Sequence, residues 1–270
     1  MLKAYHHYFL LNEIKINAND YDPNLLKSGI SIYEVMRCIN GKELFLDEHL
    51  ERLENSSKKL KFDIWHRRSE IIEAINTLKE INDVRNGNIE IIFHQSERGK
   101  HFICLFIEDR YPSVEMYQNG VESSLFEAER YNPTAKRINI HLREKTIKNI
   151  NENNVFEIVL VDRNAHITEG SRSNLFFVKG DELYTADATT VLPGIMRQKI
   201  LDICETNNIK VHETTIPVND IESFDAAFFT GTSPKAIAIS NIGDLKFDVQ
   251  NTLMNKVIGL FDELIEDYLR

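Results

Sequence analysis

The stretch Ile167-Thr168-Glu169-Gly170-Ser171-Arg172-Ser173-Asn174-Leu175-Phe176-Phe177-Val178 is a polar, turn-forming segment between two apolar runs. The run before it, 155–162, and the run after it, 174–178, are rich in β-branched and aromatic residues, which is typical of paired strands. Glu169 is followed by glycine and small hydroxyl residues. The pattern predicts a carboxylate that a sheet fixes in place, as a functional site requires. The alternative interpretation is a solvated hairpin turn.

The length and composition agree with a soluble enzyme and argue against nucleic acid or an anionic membrane as the main partner. The chain has 270 residues, enough for a large core and two modest domains. Its formal net charge is −10 with both signs interspersed, whereas nucleic acid or an anionic membrane would need concentrated positive charge. The N-terminus lacks the apolar core of a signal peptide, and no segment has the length of a membrane span. We therefore expect a soluble, cytoplasmic protein.

The cysteines and the histidine pair near the N-terminus do not suggest a metal site. Cys38, Cys104 and Cys204 lie far apart without paired spacing, so we expect reduced core residues rather than a disulfide framework or zinc ligands. His6 and His7 are adjacent, and adjacent side chains on a strand point to opposite faces. A structural role is therefore the favoured interpretation for both histidines.

The first part of the chain, 1–112, is expected to form one α/β domain. A strand over 31–39 ends at Asn40-Gly41, which is a strong hairpin signal. A helix should begin near Leu46, with leucines at helical spacing and two acidic residues in its first turn. A second helix is predicted at 68–81, followed by strands at 88–92 and 101–108.

The remainder is expected to form a linker, 113–120, and a larger domain, 121–270. Pro112 interrupts the alternating pattern, and Gly120-Val121 restarts it. The helices and strands predicted in this domain are helices at 140–151, 194–207 and 252–269 and strands at 210–216 and 226–230. Strands and helices in this order indicate an α/β or α+β fold. Periodicity alone leaves a barrel and an open sheet as alternatives.

A family resemblance extends these predictions. The string Thr168-Glu169-Gly170, two further residues and Ser173-Asn174-Leu175-Phe176 resembles the signature of fold-type IV pyridoxal-phosphate enzymes. That family contains branched-chain aminotransferases, D-amino-acid aminotransferases and aminodeoxychorismate lyases. The resemblance implies a small α/β domain, a larger pseudobarrel domain, pyridoxal 5′-phosphate as cofactor and a homodimer.

The resemblance also implies two residues for the chemistry of the cofactor. The family carries its Schiff-base lysine on a strand before a helix, and Lys136, followed by Asn139 and a helical stretch, stands in that place. The rival lysines Lys145 and Lys148 lie on a helix face that we expect to be solvated. Glu169 is the implied partner of the pyridine nitrogen, since a carboxylate there keeps the nitrogen protonated and the ring able to accept electrons.

Several segments resemble the parts of the family that hold the cofactor's phosphate and ring. Pro193-Gly194 precedes a helix whose first N–H groups can face an anion. Gly231-Thr232 resembles the family's phosphate loop, and Arg52 matches its phosphate arginine. Each segment alone is also explained by a helix cap, a turn or a helix face. The implied cofactor-binding residues are Arg52, Glu169, Ser173, Asn174, Leu192, Gly194, Ile195, Met196, Gly231 and Thr232.

The substrate side departs from the family pattern. Tyr33 matches the aromatic residue that lines the substrate pocket, but the usual Gly-Asp-Gly before it is Gly29-Ile30-Ser31 here. D-amino-acid aminotransferases carry an Arg-x-His carboxylate trap, whereas Arg98 and His101 are separated by one residue more. Residues three apart on a strand share a face only if a bulge intervenes, which disfavours the D-amino-acid alternative. The expected substrate-binding residues are Tyr33, Arg98 and Ser233.

The function implied by the resemblance is amino transfer between an amino acid and a 2-oxo acid, with Lys136 also shuttling the substrate proton. The main alternative is 4-amino-4-deoxychorismate lyase, which would release pyruvate on the same fold. A third alternative is a protein that keeps the fold without catalysis, because of the departures at 29–31. The sequence does not choose between a branched-chain and a lyase-like substrate.

Overall fold

The chain folds into two compact units. A computed structural model describes residues 3–22, 24–109 and 111–270. The first unit comprises the described residues up to Asp109 together with Ala135–Ile140. The second comprises Tyr111–Thr134 and nearly all residues from His141 onward. The segment that contains Lys136 therefore lies in the first unit.

The expected domain boundaries, 1–112, 113–120 and 121–270, stay a prediction, and the compact units differ from them in two respects. The residues expected as a linker contain a helix, Val114–Asn119. Ala135–Ile140 joins the first unit because it continues the edge of that unit's sheet. The hydrogen bonds that attach it run from Tyr33 N to Lys136 O at 3.2 Å and from Ile138 N to Ser31 O at 3.0 Å.

The first unit is built on a six-stranded antiparallel sheet with the strand order β2-β1-β6-β5-β3-β4. Its strands and helices are β1 (Tyr5–Leu11), β2 (Ile14–Asn17), β3 (Ile30–Ile39), β4 (Lys42–Glu43), α1 (Leu46–Leu60), α2 (Arg68–Asn82), β5 (Gly87–Ser96) and β6 (Gly99–Ile107). The predicted helices and the predicted hairpin are confirmed. Asn40 and Gly41 both have positive φ, 53° and 85°, as a two-residue hairpin turn requires.

The two faces of this sheet have different partners. Ile32 and Met36 of β3 belong to the core that contains Leu50 and Leu53 of α1, all at most 1% exposed. Because side chains alternate along a strand, Tyr33 lies on the opposite face, in a separate apolar cluster with Ile138. Glu34, between them, shares the helix-covered face of Ile32 and Met36.

The second unit contains a larger mixed sheet and most of the remaining helices. Its elements are α3 (Val114–Asn119), β7 (Val121–Glu127), α4 (Ile140–Asn153), β8 (Glu157–Val161), β9 (His166–Gly170), β10 (Asn174–Lys179), β11 (Glu182–Ala186), α5 (Ile195–Thr206), β12 (Val211–Thr214), β13 (Ile216–Pro217), β14 (Ala226–Gly231), β15 (Lys235–Ile242), β16 (Leu245–Lys246) and α6 (Thr252–Leu269). The strands form one ten-stranded sheet in the order β12-β11-β10-β14-β15-β7-β8-β9-β13, with β16 beside β15.

The pairing around Glu169 differs from the predicted pair of strands. The run before the polar segment, β8, pairs with β7 and β9, whereas the run after it, β10, pairs with β11 and β14. The expectation that the two runs pair with each other is therefore wrong. Part of the polar segment is itself a strand, β9, and only 171–173 forms the turn. Ile167 and Glu169 share the inward face of β9, at 1% and 2% exposure.

Three further features of the fold concern a predicted strand, the cysteines and the helices. The strand predicted at 210–216 is two short strands with different neighbours, since β12 runs along β11 and β13 pairs with β9. Cys38, Cys104 and Cys204 are buried free thiols, as expected. None of the helices in the described part of the chain has the length and apolar character that a bilayer crossing requires.

Candidate functional site

Lys136 lies in the first unit, in a group that we call the lysine cluster: Tyr33, Glu34, His49, Arg52 and Lys136. Its Nζ lies 4.7 Å from the centroid of the Tyr33 ring. Its backbone N donates a 3.0 Å hydrogen bond to Oγ of Ser56, which is 1% exposed. An isolated bridge between Arg137 and Ile32 continues the attachment to β3. The segment is therefore fixed by pairing with β3 and by α1, although it is not the regular strand that was expected.

A buried ion pair within the lysine cluster joins Glu34 of β3 to Arg52 of α1. Nε of Arg52 donates to Oε1 of Glu34 at 2.8 Å, and Nη2 donates to Oε2 at 2.6 Å. His49 Nδ1 lies 2.8 Å from the same Oε2. Burial raises the pKa of the Glu34 carboxyl, but Arg52 and His49 outweigh it and lower that pKa to about 2. Burial also lowers the pKa of His49, so the charge of Glu34 is balanced mainly by Arg52.

The expected substrate residues of the first unit are not brought together. Tyr33 is 8% exposed and lies beside Lys136, but Arg98 occupies the exposed two-residue turn between β5 and β6. Tyr33 pairs with Ile92 of β5, and Arg98 follows Ile92 by six residues, about 20 Å along an extended strand. Within one chain, Arg98 is therefore remote from Lys136.

The two segments that depart from the family pattern, 29–31 and 98–101, are linked across the sheet, because Ser31 pairs with His94 and His94 pairs with His101. Ser31, which stands where the family has glycine, bonds through Oγ to His94 Nδ1 at 2.8 Å. His94 pairs across β5 and β6 with His101, the histidine of the irregular Arg-x-x-His spacing. Burial and His101 lower the pKa of His94. The departure at Ser31 is thus accommodated by a hydrogen bond and does not disrupt β3.

Glu169 lies in the second unit, in a group that we call the glutamate cluster: Arg130, Glu169, Asn174 and Leu192. Nε of Arg130 lies 2.8 Å from Oε1 of Glu169. On the other oxygen, Oε2, Asn174 Nδ2 and the backbone N of Leu192 each donate at 3.2 Å. Asn174 Nδ2 also donates to Leu192 O at 2.9 Å. The carboxylate is buried and held by three groups, so the interpretation as a solvated turn is wrong.

The turn after Glu169 is held by a second buried carboxylate. Glu157, 3% exposed, accepts hydrogen bonds from Ser171 Oγ at 2.5 Å, Ser173 Oγ at 3.2 Å and Arg172 N at 3.2 Å. A Cβ at Gly170 would lie 2.0 Å from Ser173 Oγ. Ser173, expected to bind the cofactor, thus uses its hydroxyl on Glu157 and fixes the end of β9.

The expected phosphate segments of the second unit lie at two element ends. Gly194 is the N-cap of α5, whose first N–H groups, at Ile195 and Met196, have no acceptor inside the helix. A Cβ at Gly194 would lie 1.9 Å from Asn174 Oδ1, so the approach to the glutamate cluster requires glycine. Gly231 ends β14, and Thr232 and Ser233 follow it as half-buried turn residues.

Sequence reasoning missed the residues that support the predicted ones. Glu34 directly follows Tyr33, and His49 lies three positions before Arg52, so their spacing to these two residues was the signal that could have found them. Arg130 lies 39 positions from Glu169, and no local pattern marks that contact. Ser56 is similar, since its partner Lys136 lies 80 positions away.

Comparison with known proteins places the chain in a family. The family model for amino-transferase class IV matches residues 31–242. The D-alanine aminotransferase of Bacillus licheniformis is 27% identical over 90% of this chain and 93% of that protein. A probable branched-chain-amino-acid aminotransferase of Rickettsia felis is 27% identical over 89% of this chain and 84% of that protein.

Solved structures give the fold independently. The branched-chain aminotransferase of the thermophilic archaeon Thermoproteus uzoniensis with norvaline is 19% identical, with a TM-score of 0.82 over 97% of this chain and 95% of that one. A second branched-chain amino acid aminotransferase, complexed with N-(5′-phosphopyridoxyl)-L-glutamate, is 18% identical with a TM-score of 0.83 over the same shares. These likenesses confirm the expected two-domain α/β fold of fold-type IV enzymes. With the match over 31–242, the chain belongs to the amino-transferase class IV family, which confirms the predicted enzyme class.

Proposed function

We propose that this enzyme transfers an amino group between an amino acid and a 2-oxo acid, with pyridoxal 5′-phosphate as cofactor and Lys136 as the residue that holds it. The observation that carries the proposal is the buried Glu169 carboxylate, fixed by Arg130, Asn174 and the N–H of Leu192. Such a carboxylate suits a protonated ring nitrogen. The phosphopyridoxyl group bound by one of the structurally similar aminotransferases supports the same cofactor.

The residues present fit the chemical demands of this cofactor. Lys136 supplies an amine, Glu169 an anionic partner for the ring nitrogen, and the α5 N-terminus N–H donors for a phosphate. Leu192, Asn174, Gly231 and Thr232 complete the proposed cofactor contacts, and Ser233 is proposed for the substrate. Arg52 fits its implied role less well, because two of its nitrogens already bind Glu34. We therefore assign most of the phosphate binding to Gly194, Ile195 and Met196 of α5.

The bound cofactor would supply an electron sink for the bond that breaks when the substrate loses its α-proton. Lys136 Nζ would take that proton from the substrate carbon and return it to a carbon of the cofactor. This is general acid–base catalysis by one amine. Tyr33, 4.7 Å from Nζ, would limit where the substrate lies relative to that amine. Glu169, held by Arg130, Asn174 and the N–H of Leu192, would bind the ring nitrogen.

The proposal is tested by reducing the purified, cofactor-treated protein with borohydride and locating the adduct by mass spectrometry. We expect a pyridoxyl group on Lys136 and none on the Lys136→Ala variant. Lys145→Ala, which changes an exposed lysine on α4, is the matched control and should retain the adduct. An adduct elsewhere, or none at all, would contradict the proposed role of Lys136.

A panel of amino donors is needed to identify the substrate class, because the D-alanine and branched-chain aminotransferase relatives are equally similar to this chain, at 27% identity. Purified enzyme should convert 2-oxoglutarate to glutamate with either D-alanine or a branched-chain L-amino acid as donor. Pyruvate release from aminodeoxychorismate without amino transfer would favour the lyase alternative instead. The resemblance also supports a homodimer, which light scattering of the purified protein would test.

A further inference from the structure

We propose that Arg130 is a positioning residue for the reaction, acting through Glu169, and this inference rests on the proposed function. Arg130 follows β7 and precedes Lys136 by six residues, outside every motif that predicted the site. Its Nε lies 2.8 Å from Glu169 Oε1. Its Nη2 donates to Ser171 O at 2.6 Å. One guanidinium therefore fixes both the carboxylate and the turn that follows it.

The charges in the glutamate cluster explain why this contact matters. Glu169 is 3% exposed at its side chain, and burying a carboxylate without a compensating charge is costly. Of the three contacts described for its oxygens, those from Asn174 and Leu192 come from neutral donors. Among these three, the contact from Arg130 is the one that brings a positive charge. Arg130 thus stabilises Glu169 as an anion, the form that pairs with a protonated ring nitrogen.

The geometry also explains why arginine occupies the position. Nε and Nη2 belong to one rigid plane, so the hydrogen bond from Nη2 to Ser171 O holds the guanidinium charge beside the carboxylate of Glu169. A lysine has a single nitrogen on a flexible stem and would keep the charge without both contacts. We therefore expect Arg130→Lys to retain part of the effect and Arg130→Met to lose it.

The test separates this role from simple support of the turn. Arg130→Met and Arg130→Lys are measured for exchange of the substrate α-proton in D₂O and for the dissociation constant of the cofactor. Each protein is loaded either with pyridoxal 5′-phosphate or with its 1-deaza analogue, which has carbon in place of the ring nitrogen. Arg172→Met is the matched control, because Arg172 lies on the same turn but contacts Glu157 at 3.7 Å.

With the natural cofactor, Arg130→Met should slow exchange about tenfold or more, because Glu169 would lose a close ion-pair contact to its buried carboxylate. Arg130→Lys should lie between it and the wild type, and Arg172→Met should stay within about twofold. With the deaza analogue, the difference between Arg130→Met and wild type should disappear, since no ring nitrogen is present. An equal loss with both cofactors would overturn the inference and leave Arg130 as a structural residue.

A second measurement avoids turnover altogether. Thermal unfolding of the apoprotein with Arg130→Met, Glu169→Gln and both changes should show coupling, with the double variant less destabilised than the sum. Additive changes would contradict the contact itself. A wild-type protein that bound no pyridoxal phosphate would overturn the proposed function and this inference together. If the wild type is active and Arg130→Met is equally active, the inference about Arg130 is wrong while the proposed function stands.

Discussion

Arg52 and Glu34 form a two-pronged ion pair in the first unit, with Nε to Oε1 at 2.8 Å and Nη2 to Oε2 at 2.6 Å. Parallel contacts of this kind are stronger than a single charged hydrogen bond. Because the charge of Arg52 is balanced by a buried carboxylate, it attracts an anion less than a lone arginine would. The pair instead joins β3 to α1, the two elements that hold the Lys136 segment.

Glu34→Gln should destabilise the protein by about 3 kcal/mol or more, since it leaves Arg52 without its buried counter-charge. The folded pKa of Glu34, about 2, lies below its ordinary 4.5. Its contribution is therefore complete above pH 4.5 and is lost as the pH falls towards 2. Urea unfolding of wild type and variant across that range should show the difference shrinking as the pH falls. Glu54→Gln, at an exposed ion pair with Arg68, is the control and should cost less than about 1 kcal/mol. A pH-independent difference would contradict the assignment.

Ser56→Ala should reduce the rate of substrate proton removal severalfold, because the Lys136 backbone loses the acceptor of its 3.0 Å hydrogen bond. The unsatisfied buried N–H should also lower the free energy of unfolding by about 1–2 kcal/mol. Ser57→Ala is the matched control, since Ser57 Oγ bonds to Phe62 O and makes no such contact with Lys136. Equal exchange rates in the two variants would show that Ser56 does not hold the lysine in place.

The sequence predicted those elements whose signals are local. α1 has its acidic residues in the first turn and lysines in the last, and α6 presents buried residues at helical spacing, so both were predicted close to their observed bounds. The hairpin at Asn40-Gly41 is equally local. β9 was missed because five residues of mixed polarity carry little strand signal, and its pairing with β8 became visible only in the folded chain.

The same distinction between local and distant signals applies to the residues of the candidate site. Lys136 and Glu169 were predicted from motifs that the family resemblance makes recognisable in a single sequence, and their roles stay a prediction. Arg130 and Ser56 contact partners that are distant in sequence, and a single sequence does not show such contacts. Ser173 was assigned to the cofactor because it stands in the motif, whereas its hydroxyl bonds to Glu157. A motif therefore identifies a position that matters for the fold, but it does not show which neighbour the side chain at that position contacts.

Gly170→Ala should destabilise the protein by about 1–3 kcal/mol through overpacking, because its Cβ would lie 2.0 Å from Ser173 Oγ. The φ of Gly170 is not positive, so steric contact and not backbone strain is the cause. Ser173→Ala removes the obstructing oxygen but also the bond to Glu157. The double variant should be close to Ser173→Ala alone in thermal unfolding. If the two single effects simply add, the contact with Ser173 is not what excludes a side chain at Gly170.

Asn174→Asp separates charge from packing at Glu169. The amide of Asn174 donates to Glu169 Oε2 and to Leu192 O, so an aspartate would face two acceptors and a like charge. Asn174→Ala removes the donor alone and should slow proton exchange about tenfold. Asn174→Asp should be slower still, because its carboxylate cannot donate to Glu169 Oε2 and places a second acceptor beside it. The exchange rates of the two variants and the wild type, measured at one pH, test this. Exchange at the wild-type rate in Asn174→Ala would show that Asn174 supports Glu169 by shape and not by donating a hydrogen bond to its charge.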